Sequence, residues 1–193
     1  MTVGLTMKRL ATLLVLLAAL PPTAMGQAHE HGAARLDVAL EAATLSLQFE
    51  APLEALFGFE RAPRSATERQ LVNAGIARLK AADGLFKLDA AAQCALKRVA
   101  LTSAALALGV ATSSAPAKAV NAAEAAETAI TEHADLDATL EFECKDTAKL
   151  GSIDVGLFEA FPRLQRIEVQ VATPKGQFKR SLKRPANRIS LLR

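Results

Sequence analysis

Apolar and polar residues alternate with period two over residues 34–41. Leu36, Val38 and Leu40 point one way, and Arg35, Asp37 and Glu41 point the other. Residues 44–50 repeat the pattern with Leu45, Leu47 and Phe49. Period two with one polar face predicts strands that lay one side on a core. The short Ala42-Ala43 connection joins them as a hairpin, without the favoured Asn-Gly chemistry. A helical turn is expected at Leu53–Phe57, followed by a loop through Pro63. Ser65-Ala66-Thr67-Glu68 then fits a capping box, in which hydroxyl and carboxylate satisfy free amides of a first helical turn. Leu71, Val72, Ile76 and Leu79 form the expected apolar stripe of that helix, and Gly84 its stop.

Cys94, Leu96, Val99 and Leu101 predict a further strand with a bulge near Arg98. From about residue 103 to 132 the chain becomes Ala-rich and of low complexity, which predicts an exposed, mobile loop inside the domain. His133 opens the next strand. Leu136, Ala138, Leu140, Phe142 and Cys144 share one face, and His133, Asp135, Asp137, Glu141 and Glu143 share the other. A short turn at residues 146–150 and a strand running into a helix before Pro162 follow. A hairpin comes next, with Ile167, Val169 and Val171 on one strand and residues 178–182 on the other, and a short strand at Ile189 and Leu191 ends the chain. The sum is an α+β fold: a mostly antiparallel sheet, one main helix and a few short ones in a single domain over 27–193.

The amino-terminal residues change the picture of where this domain works. Lys8 and Arg9 precede an apolar run from Leu10 to Leu20 that holds only Thr12 as a polar residue, and Pro21-Pro22-Thr23 and small residues follow. This order is that of a cleavable signal peptide over 1–26. The run is too short to cross a bilayer core, which takes about 20 residues, so no permanent membrane anchor is expected. Small residues fit a cut before Gln27 or, alternatively, before His29. Losing Lys8 and Arg9 lowers the formal charge from +3 to +1, so the apparent basicity gives no reason to expect nucleic acid as a partner. The chain also lacks Tyr and Trp, the aromatic platform on which bases stack.

Cys94 and Cys144 are the only cysteines, and an exported domain can keep them as a disulfide. The bond would tie the strand ends from which the Ala-rich loop leaves. Two buried free thiols are the alternative. A metal site built on both lacks Cys-x-x-Cys spacing and a neighbouring His.

Three groups carry candidate chemistry. The first is His29-Glu30-His31. Either cut puts a His at mature position three, where amine, amides and imidazole can surround Cu(II) or Ni(II) in a plane; the same imidazoles with Glu30 can hold Zn(II). A frayed polar terminus is the bland reading. The second is His133 with Asp135 and Asp137 on one strand face, which is otherwise a solvated surface. The third is the basic carboxyl end: Lys175, Lys179, Arg180, Lys183, Arg184, Arg188 and Arg193, with no acidic residue after Glu168. It suits an anionic partner or, more simply, a solvated hairpin. No Gly-rich phosphate loop or Gly-x-Ser-x-Gly elbow is present, and no enzymatic activity is expected.

The order of several short motifs resembles the ZrgA-like family of periplasmic proteins associated with zinc uptake in Gram-negative bacteria. These are His29-Glu30-His31-Gly32, Gly58-Phe59-Glu60 with Ala62-Pro63-Arg64, the Cys94 strand, and Phe142-Glu143-Cys144. Ile153-Asp154-Val155, Leu157-Phe158, Phe161-Pro162, Val169-Gln170, Thr173-Pro174 and Gly176-Gln177 complete the set. The resemblance implies zinc binding, or delivery of zinc to an importer. It carries over to His29, His31 and His133 as ligands, with Glu30 and Asp135 as weaker ones. The family's His- and acid-rich stretch between the cysteines is missing, since residues 103–132 contain no His. A single site of low capacity is therefore expected. The alternative is an interaction domain without specific metal binding.

Overall fold

The computed structural model describes residues 32–109 and 134–191. The expected signal peptide and the part of the Ala-rich loop over 110–133 lie outside the described residues. Two sheets carry the fold. β1 (Ala33–Glu41), β2 (Thr44–Pro52), β4 (Cys94–Thr102), β5 (Asp135–Cys144), β7 (Arg166–Thr173) and β8 (Gly176–Lys183) form a six-stranded sheet in the order β4-β5-β2-β1-β7-β8. β3 (Phe86–Leu88), β6 (Ser152–Val155) and β9 (Arg188–Ser190) form a small sheet in the order β3-β6-β9. All pairings are antiparallel except β1 with β7, which is parallel. The architecture is α+β.

The period-two pattern sets the large sheet's inner face. Leu36 and Val38 of β1, Leu45, Leu47 and Phe49 of β2, Leu136 and Leu140 of β5, and Ile167 and Val169 of β7 are buried. They join one core with Ile153, Val155 and Ile189 of the small sheet, and with residues of α1 (Leu53–Phe57) and α2 (Ala66–Lys80). The opposite face of the large sheet carries the polar partners of each alternation.

Helix α2 starts as its sequence requires. Ser65 Oγ accepts from Glu68 N at 3.1 Å, and Glu68 Oε2 accepts from Ser65 N at 3.1 Å and Arg64 N at 2.6 Å. Arg61 adds a bidentate pair to Glu68, at 2.7 and 3.1 Å. The Arg61 hydrogen bond, then those from the Arg64 and Ser65 amides, hold the Glu68 carboxyl down at about 2. A depressed folded-state value stabilises the fold above the ordinary carboxylate value of 4.5, and that contribution is lost as pH falls toward about 2. Denaturant unfolding of Glu68→Gln between pH 5 and pH 2 is therefore expected to show a shallower loss of stability than wild type. Parallel curves would remove the carboxylate from the acid response.

Three local expectations are corrected. Leu71 is 46 % exposed, because α2 turns Val72, Gly75 and Leu79 inward instead. Gly75 permits this orientation: a Cβ there would come within 2.5 Å of the Phe57 ring. Gly84 does not stop the helix. α2 ends at Lys80, and Gly84 lies inside the four-residue α3 (Ala82–Leu85), where burial of Ala82 and Leu85 turns the chain. The Ala-rich region is also not featureless from residue 103. Ser103 and Leu108 exchange backbone hydrogen bonds of 3.0 and 2.9 Å, and Leu106 and Leu108 pack on the core.

The Cys94–Cys144 disulfide is formed. The bulge in β4 falls between Leu96 and Arg98, and register then pairs Cys94 with Cys144 and Thr102 with Asp137. The bond thus clamps the opposite end of the β4–β5 pair from the one where the Ala-rich segment departs and returns. The expectation that it ties the ends of that loop is corrected: in an antiparallel pair, the start of one strand meets the end of the other.

Much of the basic carboxyl end is engaged structurally. Arg184 follows β8, reaches the short α4 (Leu157–Ala160), and donates from Nε to Leu164 O at 2.9 Å. Its Nη2 donates to the carbonyls of Phe158, Phe161 (3.2 Å) and Pro162 (3.1 Å). Arg188 forms a bidentate pair with Asp154 at 2.6 and 2.8 Å. Lys175, Lys179 and Lys183 lie on or beside β8, whose outer edge meets no strand among the described residues, and charges there discourage association with other strands.

Candidate metal centre

His29, Glu30, His31 and His133 lie outside the described residues. The residues that follow them are described, and the topology decides how close they come. β1 begins at Ala33, just after the His-Glu-His motif, and β5 begins at Asp135, just after His133. Both strands flank β2 and both are antiparallel to it. Their starts therefore stand at the same end of the sheet, two strand spacings apart, or about 10 Å. Each stub is anchored. Gly32 O accepts from Gln165 N at 2.7 Å, and Ala134 O accepts from Leu53 N at 2.7 Å. Gly32 has φ +72, and a Cβ would meet Arg163 O at 3.0 Å, so the chain enters β1 through a position that favours glycine.

Asp135 and Asp137 share the outer face of β5, as their spacing predicts. Register brings a third carboxylate beside them. Asp137 pairs with Glu50 of β2, and Asp135 with Pro52. Asp135 Oδ1 is buried without a hydrogen-bond partner among the described residues. Burial, then the charges of Glu50 and Asp135, push the Asp137 carboxyl above its ordinary value, and a hydrogen bond from Thr102 opposes this. Arg35, next to Glu50 on β1, offers a loose counter-charge at 3.7 Å. Glu50 was not among the residues singled out in the sequence. Its signal was present in the alternation of β2, which places it on the polar face, but only the strand order shows that it neighbours Asp137.

The described residues alone do not complete a metal site: no group of three or more His, Cys, Asp or Glu side chains among them is arranged to hold an ion. What they supply is a patch of hard oxygen donors at the sheet end from which both His-bearing segments depart. Cys94 and Cys144 are joined to each other at the opposite end, nine residue steps along β5 from Asp135, or about 30 Å. No helix of the described residues is long and apolar enough to cross a membrane.

A family model described as ZrgA family zinc uptake protein matches residues 28–191. The chain belongs to the ZrgA family. No curated protein matches it. The ZrgA match starts at Ala28 and so takes in His29, Glu30 and His31, both cysteines, His133 and Asp135. Membership connects the protein to zinc uptake and agrees with the resemblance drawn from its short motifs.

Proposed function

We propose that this ZrgA-family protein is exported by a signal peptide to the periplasm. There it binds zinc at low capacity and delivers it to an uptake system, without catalysing a reaction. The observation that carries this reading is the common sheet end of β1 and β5, which brings the attachment points of His29-Glu30-His31 and of His133 within about 10 Å. Imidazole nitrogens from the two segments, completed by Asp135 or Glu30, make a donor set suited to Zn(II). Asp137 and Glu50 lie beside it and add negative charge that attracts the cation. A zinc importer component is the partner that such a carrier would meet. The opposing reading is an interaction domain that kept the fold without specific metal affinity; the lack of His in residues 103–132 favours it.

Calorimetric titration of the mature, untagged, naturally processed protein separates them. About one zinc ion per chain is expected, with binding abolished in the His29→Ala, His31→Ala, His133→Ala triple variant and weakened in Asp135→Asn. Copper titrated in parallel tests the planar amino-terminal site, which needs only the mature third-position His and a free amine. Copper bound by the His133→Ala protein while zinc is not would divide the two sites. Absence of zinc binding at micromolar concentration would sink the delivery role.

A further inference from the structure

The polar face of the large sheet holds a concavity of about 480 Å³, within the range of small-ligand sites and on different strands from β5 and its carboxylates. We propose that it binds a short zwitterion, an ammonium and a carboxylate separated by several bonds, of the dipeptide class. Its floor is low because Ala39 and Ala172 are register partners on β1 and β7 and leave room that larger side chains would fill. Its walls are neutral amides, Gln48 and Gln170, which flank Asp37 on either side in register. Asp37 is the one carboxylate among the described residues that line it.

The charge pattern selects the occupant. A lone carboxylate among amides accepts best from an ammonium group. Lys179 lines the same concavity in the same row as Asp37, as the partner of Gln170. Its backbone stands two strand spacings from that of Asp37, about 10 Å. A diamine would meet repulsion there, and a dicarboxylate would be repelled by Asp37. A zwitterion places one charge at each end and its carbon stem over the two alanines. Because the two charges of an α-amino acid sit on one carbon, a dipeptide spans the pair better.

The test is titration of the full mature protein, without zinc, with L-alanyl-L-alanine, followed by amide NMR shifts. Saturable binding is expected with shifts at β1 and β7. N-acetylation or carboxyl amidation of the dipeptide, applied to the wild-type protein, should each weaken binding about tenfold or more. Asp37→Asn should reproduce the effect of acetylation, and Lys179→Met that of amidation, with both variants checked for an unchanged thermal transition. Acetylated dipeptide binding as well as the free one, putrescine binding more tightly, or no saturation by the dipeptide would each overturn the proposal. None of these outcomes bears on zinc binding, which depends on other residues.

Discussion

Replacing both cysteines, in a Cys94→Ala and Cys144→Ala double variant, is expected to lower the unfolding free energy by about 4 kcal/mol. The bond closes a loop with a sequence separation of 50 residues. In the chain-entropy account, that closure removes conformations from the unfolded chain and leaves the folded one unchanged. The loop holds β4, the Ala-rich segment and β5, so the unfolded chain gains its full length of freedom when the bond is lost. Urea unfolding reads the effect directly. With a slope of about 2 kcal/mol per molar, the midpoint should fall by about 2 M, and a reductant should move the wild type to the same place. A midpoint unmoved by both treatments would mean that the bond does not constrain the chain. The bond lies at the end of the sheet remote from Asp135, so the folded fraction of the variant should keep the zinc binding proposed for the wild type. A coincident loss of binding in protein shown to be folded would tie the disulfide to the proposed metal site, against the topology.

The position of that bond marks where reading along the chain stops. Alternation in β1, β2, β5 and β7 gave both the strands and their buried faces, because period two is a local property with one physical cause. The capping box and the β4 bulge were equally local, and Ser65, Glu68 and Arg98 bear them out. Strand order is not local. Nothing in residues 33–41 or 166–173 announces that β1 and β7 pair in parallel, because their apolar faces fit either direction. Glu50 was invisible as a neighbour of Asp137 for the same reason. The Leu71 correction has a related origin. Its apolar spacing fits a stripe, but a helix turns its closest-packing side to the core, and Gly75 against Phe57 makes that side the one bearing Val72 and Leu79. The candidate metal residues show both limits. The motif was legible in the sequence, while the shared sheet end of the strands that follow its two halves emerged only from the order β5-β2-β1.

Phe49→Ala is expected to be the most damaging single core substitution, costing about 3–5 kcal/mol. Phe49 is 1 % exposed and sits in β2, which has a strand on each side. Its register partners are Leu36 on β1 and Ala138 on β5. Ala138 is too short to fill the vacated space, and Leu36 is held by its own strand pairing, so a cavity persists and its lining loses dispersion contacts. A domain of this kind has about 5–15 kcal/mol in total, so the variant should unfold at much lower urea and a less stable background would not fold at all. Leu71→Ala is the control. It removes a similar apolar side chain from a helix, but from a site 46 % exposed, and should change stability by no more than about 0.5 kcal/mol. Equal losses for the two would contradict the placement of the core on the inner face of β2. The side chains of Gln48 and Glu50 point to the opposite face, so folded Phe49→Ala protein should keep the zinc binding proposed for the wild type. Stability and metal affinity would then separate along the two faces of one strand.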